Sequence, residues 1–133
     1  MVGFPRETEE DFLDTVSFVK EVGFIDAHVF AYSRRAGTPA ATYTGQIPED
    51  VKKERSARLI RVKNEVRDEV LGRIVDEGAP VSVILETYDG VYYTSHSDTF
   101  AEVKVEGPMG LCGEMVTVIP VSHKDGIILG KLV

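Results

Sequence analysis

The chain has 133 residues, one cysteine and a formal net charge of -7. That length fits one domain or two very small ones, and no stretch approaches the roughly 18 uninterrupted apolar residues of a membrane helix. Cys112 excludes an internal disulfide and cannot by itself hold a thiolate zinc site or an iron–sulfur cluster. The acidic balance argues against a strong non-specific nucleic-acid binder and leaves room for a local basic patch. The first residues show no basic segment followed by an apolar core, so the expectation is a reduced, cytoplasmic setting.

Val2 to Phe4 reads as the end of a strand, stopped by Pro5. Thr8-Glu9-Glu10-Asp11 then has the form of a capping box, and three acids suit the positive end of a helix dipole. Phe12, Val16 and Val19 recur at i, i+4, i+7, with Leu13 and Val22 widening the stripe and Gly23 as a stop. These signals predict a helix over 9–22 with one buried face. Phe24 to Ala31 is apolar and alternates poorly, the pattern of a strand covered on both faces. Strand end, helix and strand together predict a βαβ unit. His28 falls inside that strand and is expected to be packed, whereas His96 and His123 read as surface loop residues without a second ligand at metal spacing.

Tyr32-Ser33-Arg34-Arg35-Ala36-Gly37-Thr38-Pro39 opens an irregular loop that runs to Gln46. Polar groups gathered at the end of a buried strand suit a binding site, and a solvated connector suits the same composition. Pro48 then begins a long helix whose apolar face runs through Leu59, Val62, Val66, Val70 and Ile74. From Lys52 to Lys63 there are six positive residues and one negative. A solvated face and a phosphate-contacting ridge both fit that cluster.

After Asp76-Glu77-Gly78 the helical period ends. Pro80 to Tyr88, Val91 to Thr94, Phe100 to Val105, Glu114 to Val121 and Ile127 to Val133 read as short strands, with Asp89-Gly90 a strong turn. Five strands in about 55 residues predict a small closed barrel rather than a sandwich. The chain therefore divides into residues 1–77 and 78–133. At least two of Tyr92, Tyr93 and Phe100 are expected in the core, and a third is free to stack on a base. Cys112 lies in an apolar stretch and is expected to be buried. From Ala79 onward there are three positive and seven negative residues, a poor balance for a phosphate-binding surface.

Three segments, in this order and spacing, carry a family resemblance. They are Gly3-Phe4-Pro5-x-Glu7-Thr8-Glu9-Glu10-Asp11-Phe12, His28-Val29-Phe30-x-Tyr32-Ser33-x-Arg35-x-Gly37-Thr38-Pro39-Ala40, and Gln46-Ile47-Pro48-x-x-Val51-Lys52-x-x-Arg55. The set resembles the C-terminal part of the radical-SAM tRNA methylthiotransferases. The His-Val-Phe-x-Tyr-Ser form most resembles the subgroup acting on threonylcarbamoyladenosine beside the tRNA anticodon. The strand pattern from about residue 77, with Val103-Lys104-Val105 and the Leu111–Val116 run, resembles the TRAM domain of the same enzymes. The implied fold is an α/β fragment, the last βαβα part of a radical-SAM partial TIM barrel, followed by a five-stranded all-β TRAM barrel.

The resemblance also implies roles. Gly3, Phe4, Pro5 and Glu7 would lie along S-adenosylmethionine, and Val29 and Phe30 would flank its adenine. Tyr32, Ser33, Arg35, Gly37 and Thr38 would form the loop where the tRNA base enters. Lys52, Arg55 and Arg58 of the basic helix, with the TRAM domain, would contact tRNA. The family's reaction cleaves S-adenosylmethionine at a reduced [4Fe-4S] cluster and installs a methylthio group on adenosine C2. Here the Cys-x-x-x-Cys-x-x-Cys motif is missing, Arg6 stands where the family has Gly, and Ala31 and Arg34 replace prolines. This chain alone is therefore expected neither to bind the cofactors nor to catalyse, and its implied partners are tRNA and the missing N-terminal part of the enzyme, with no membrane. Two other readings stay open: a stand-alone RNA-binding or interaction module, and a homodimer formed through an exposed sheet edge.

Overall fold

The computed structural model describes all 133 residues, which form two compact units, Met1–Val66 and Arg67–Val133. In the first, helix α1 spans Glu9–Val22. Thr8 Oγ1 accepts from the Asp11 N–H at 3.1 Å, and the Asp11 carboxylate accepts from the Thr8 N–H at 2.8 Å, so the capping box forms in both directions. Gly23 ends the helix at φ 69°. The buried face is narrower than the apolar stripe. Phe12 and Val19 are buried, while Leu13 and Val22 are exposed. The Arg55 and Arg58 guanidinium groups lie 5.7 and 4.8 Å from the Phe12 ring.

The largest departure from the sequence reading is Phe24 to Ala31. This segment does not form a strand. Its one ladder contact is a parallel bridge between Val2 and Ala31. Val2 N–H donates to the Phe30 carbonyl and Tyr32 N–H donates to the Val2 carbonyl, each at 2.8 Å. The expected βαβ unit is thus reduced to a bridge, because a strand requires a neighbour along its length and Val2 is the one residue alongside. Gly3, at φ 73°, turns the chain away immediately afterwards. Burial on both faces fails with it: Phe24, Asp26, His28 and Phe30 are exposed, so His28 is not packed as expected.

A short 3-10 turn, Pro39–Thr42, interrupts the following loop, and helix α2 then runs from Glu49 to Glu77. Leu59, Val66 and Leu71 are its buried apolar positions. The two compact units divide within α2, whereas the change from helix to strand comes after Glu77. No helix is long and apolar enough to cross a membrane.

The second unit holds five strands: β1 Val81–Tyr88, β2 Tyr92–Ser97, β3 Glu102–Glu106, β4 Met115–Lys124 and β5 Ile127–Leu132. They close into a barrel in the order β1-β2-β3-β5-β4, antiparallel throughout except for β3 beside β5. This is the small closed barrel that the strand pattern predicts, consistent with a TRAM-like domain. Alternation sets the interior: Val83, Leu85, Tyr93, Val103, Val105, Val118 and Ile128 are buried. Ser95, also inside, donates from Oγ to the Val103 carbonyl at 3.0 Å. Register shifts between Leu85 and Thr87 and between Pro120 and Ser122 supply the coiling that closure needs. At Gly130 a Cβ would sit 2.2 Å from Val118 Cγ1 and 3.0 Å from the Ile119 carbonyl, so only glycine permits this β4–β5 approach.

Two expectations in the barrel are corrected. Tyr93 alone of the three aromatics is in the core, while Tyr92 is 42% and Phe100 82% exposed. Phe100 closes the Ser97–Phe100 turn with φ 64°, a geometry that takes it out of the alternating strand. Cys112 is exposed because it lies in the β3–β4 loop, between Gly110 and Gly113, both at positive φ. Tyr93 Oη anchors that loop, donating to the Pro108 carbonyl at 2.6 Å and accepting from the Leu111 N–H at 3.0 Å.

Candidate functional site

The site begins at the Gly3–Glu7 turn. Both oxygens of the Glu7 carboxylate accept from the Gly3 N–H at 3.0 Å. Arg55 Nη1 donates to Glu7 Oε1 at 2.8 Å and to the Glu7 carbonyl at 3.1 Å. The side chains of this pair are 7% and 11% exposed, so it is a buried salt bridge whose members depend on each other. Lys52 lays its stem over Gly3, where a Cβ would come within 2.2 Å of Lys52 Cγ. Its Nζ donates to the Tyr32 carbonyl at 3.1 Å and pairs with Glu49. Lys52 thus ties the Gly3 turn to the Tyr32 loop.

The Val2–Ala31 bridge and Lys52 together bring the first two motif segments side by side. Between them lies a hollow of about 560 Å³ lined by Phe4, Phe30, Tyr32, Ser33, Arg35 and Thr38, among others. Phe4 meets Tyr32 edge-on at 5.4 Å and Tyr43 at 6.3 Å. Tyr32 is buried and its hydroxyl has no partner. The hollow combines aromatic walls, the Ser33 hydroxyl and the Arg35 guanidinium, while the Thr38 hydroxyl donates to the Arg35 carbonyl at 2.8 Å. That donor set suits a flat, polar-edged ring carrying an anionic group. Pro5 and Glu7 line a smaller neighbouring hollow of about 270 Å³ with Phe4, Arg6 and Asp11. Val29 is half-buried, and Gly37 stands in open space with nothing within 4 Å of where a Cβ would be. Sequence reasoning missed Met1, Ala31 and Ala40 at the hollow, and missed Tyr43, which packs on Phe4. Tyr43 had a signal, an aromatic two residues before Gly45, but no period that placed it.

The basic helix is mostly committed to internal pairs. Lys52 and Arg55 are buried. Arg58 pairs with Glu9 at 2.7 Å and with Glu54 at 3.4 Å, and Lys63 pairs with Asp26 at 2.6 Å. Hydrogen bonding to Arg58 holds the Glu9 carboxyl below its ordinary pKa and raises that of Arg58. The Lys63 hydrogen bond does the same for Asp26, and the Thr8 backbone N–H does so for Asp11. Of the six cations between Lys52 and Lys63, Lys53 and Arg61 are the exposed ones.

The barrel has its own surface hollow, of about 940 Å³, with Tyr92, Lys104, Val121, Leu129 and Lys131 in its wall. Register explains the grouping: Tyr92, Lys104, Leu129 and Lys131 all point outward, opposite to the buried Tyr93, Val103, Val105 and Ile128. Two of the barrel's three lysines therefore share one groove with an exposed tyrosine. No three His, Cys, Asp or Glu side chains are grouped to hold a metal ion.

No family model matches the chain. Individual relatives do. A tRNA-2-methylthio-N(6)-dimethylallyladenosine synthase of Acetivibrio thermocellus is 41% identical over 137 residues, covering 100% of this chain and 28% of the relative. The enzyme of the same name from Lachnoclostridium phytofermentans is 41% identical over 135 residues, covering 99% of this chain and 29% of the relative. The threonylcarbamoyladenosine tRNA methylthiotransferase MtaB of Bacillus subtilis is 37% identical over 121 residues, covering 89% of this chain and 27% of the relative. The chain thus spans less than a third of the length of the curated relatives it matches. It is homologous along its whole length to tRNA methylthiotransferases, matching a C-terminal fragment of them.

Proposed function

We propose that this chain, homologous to a C-terminal fragment of the tRNA methylthiotransferases, is the tRNA-side portion of an enzyme that places a methylthio group on adenosine C2 beside the anticodon. The convergence of the Gly3–Glu7 turn and the Phe30–Thr38 loop on one aromatic-walled hollow carries this reading. Residues far apart in sequence and implied for one site meet there. Val29 and Phe30 would flank the adenine of S-adenosylmethionine, Gly3, Phe4, Pro5 and Glu7 would lie along the cofactor, and the buried Tyr32 would anchor the loop where the tRNA base enters. Ser33 and Arg35 offer donors on the side where the tRNA base would enter, Thr38, whose hydroxyl donates to the Arg35 carbonyl at 2.8 Å, braces that loop, and Gly37 keeps the loop tip clear. When bound in the complete enzyme, S-adenosylmethionine supplies the radical and the methyl chemistry.

The [4Fe-4S] cluster does not fit this chain. Its single thiol, on Cys112, is exposed in a barrel loop, and one thiolate cannot ligate a cluster. The cluster belongs to a front portion outside this sequence, so catalysis is a property of the two parts together, in the cytoplasm where tRNA is found.

Two surfaces are suited to tRNA. Along α2, Lys53 and Arg61 are free for phosphates, beside the partly exposed Arg58, while Lys52 and Arg55 brace the turn beneath. On the barrel, Tyr92 is placed to stack on an unpaired base between Lys104 and Lys131. The closed barrel and its groove also favour a second reading, a stand-alone RNA-binding module.

Fusing this chain to the front portion of the Bacillus subtilis relative, in place of the matching segment, separates the two. Mass spectrometry of tRNA nucleosides should then detect methylthio-adenosine. Tight tRNA binding without product would favour the stand-alone module. Absence of both product and tRNA binding would contradict the proposal. Lys53→Glu with Arg61→Glu should weaken tRNA binding and flatten its salt dependence by about two phosphate contacts.

A further inference from the structure

We infer that Arg6 is a positioning residue, a latch that holds the loop beside the aromatic hollow in place against strain in its own backbone. Phe4-Pro5-Arg6-Glu7 is a four-residue turn closed by the Glu7 N–H on the Phe4 carbonyl at 3.0 Å. It has proline second and φ 72° at the third residue, the type II pattern that favours glycine in third place. A long side chain there is strained, and the surrounding bonds must hold it. Two of them do: the Arg6 N–H donates to the Gly45 carbonyl at 2.7 Å, and the Glu7 carboxylate ties back to Gly3.

Glycine would satisfy the turn and would also keep the backbone bond to Gly45. What arginine adds lies in its side chain. Nη2 donates to Thr44 Oγ1 at 3.0 Å, and Nε donates to the Thr44 carbonyl at 3.4 Å. The stem lies over Gly45, where a Cβ would meet Arg6 Cγ at 2.9 Å. Gly45 is itself left-handed, at φ 76°, so two residues of that conformation pack face to face. The held segment adjoins the site through Ala40, which lines the hollow. Tyr43, next to Thr44, sets its ring edge-on to Phe4. Gln46 Nε2 donates to the Ala40 and Tyr43 carbonyls at 3.0 Å each, which makes residues 40–46 one folded piece. The latch therefore fixes Tyr43 against Phe4 and fixes Ala40, which lines the hollow. Its geometry stands by itself, while its effect on function rests on the proposed role of the hollow.

The test compares Arg6→Gly with Arg6→Ala, Arg6→Lys and Thr44→Ala in the intact chain, reading the melting temperature and amide hydrogen exchange of residues 38–46. A residue with only a general structural role would lose both together. The latch predicts a split: Arg6→Gly leaves the melting temperature unchanged or raised because strain is removed, yet exchange over 38–46 speeds up about tenfold. Arg6→Ala keeps the strain, lowers the melting temperature and loosens the same residues. Arg6→Lys recovers part of the protection. Thr44→Ala loosens the loop, and combining it with Arg6→Gly adds little further. Unchanged exchange over 38–46 in Arg6→Gly would overturn the latch, as would faster exchange spread evenly over the first unit. In the fusion enzyme, Arg6→Gly should raise the KM for tRNA more than it lowers kcat. A parent fusion that forms no product would count against the role of the hollow and leave the exchange result to decide the latch.

Discussion

Strand β1, Val81–Tyr88, and the segment Phe24 to Ala31 are of equal length and similarly apolar, yet only one of them is a strand. β1 pairs with β2 on one edge and with β4 on the other, and its alternate residues Val83 and Leu85 are almost completely enclosed. The Phe24–Ala31 segment touches one backbone neighbour, Val2, and leaves Phe30 68% exposed. Composition proposes a strand, and a partner within reach along its length decides it. The same contrast separates what holds each unit. The barrel is held by an apolar interior. The first unit adds ionic ties from α2 to Glu7, to Glu9 and to Asp26.

The sharpest way to break that contrast is Arg55→Ala. It leaves the Glu7 carboxylate buried without its cation and should destabilise the first unit by about 3–5 kcal/mol, read by chemical unfolding with probes in each unit. An effect confined to the barrel would contradict the assignment. Next is a matched pair of apolar truncations. Leu85→Ala, at a fully buried site, should lose about 3 kcal/mol of barrel stability, while Phe30→Ala should stay within about 0.5 kcal/mol. Similar losses at both positions would mean that Phe30 is covered in solution. The smallest effect is acid sensitivity. Glu9, Asp11 and Asp26 have folded pKa values below their ordinary ones, so their contribution is present at neutral pH and is lost as pH falls from the unfolded carboxylate range through the lowered folded values. Only Asp89 behaves this way in the barrel, held down by the Tyr92 and Val91 N–H groups. The first unit should therefore loosen at a higher pH than the barrel, and an acid titration with probes in each unit checks the order.

These regions also differ in how far the sequence discloses them. The capping box at Thr8, the stop at Gly23 and the turn at Asp89-Gly90 are local devices, and each forms as written. The barrel was legible because period-two alternation and its turns all lie within one stretch, and every strand finds its neighbours there. Charge counting along α2 could not reveal that Arg55 meets Glu7 across 48 positions or that Lys52 closes over Gly3. Such pairings are set by tertiary packing and leave no periodic mark. The turn at Arg6 is an intermediate case. The positive φ that a glycine position demands is present, but the partner that makes arginine useful, Thr44, lies 38 residues away. The hollow itself was legible only as two motifs, and the Val2–Ala31 bridge that joins them became visible in the fold.

Amide hydrogen exchange of the intact chain tests most directly the claim that one unit completes its own sheet and the other does not. Amides of Leu85, Val103 and Val118 should exchange only through global unfolding of the barrel, while those of residues 24–31 should exchange at close to unprotected rates. Protection of 24–31 equal to that of the barrel would contradict the account, and would mean that this segment finds a strand partner in solution.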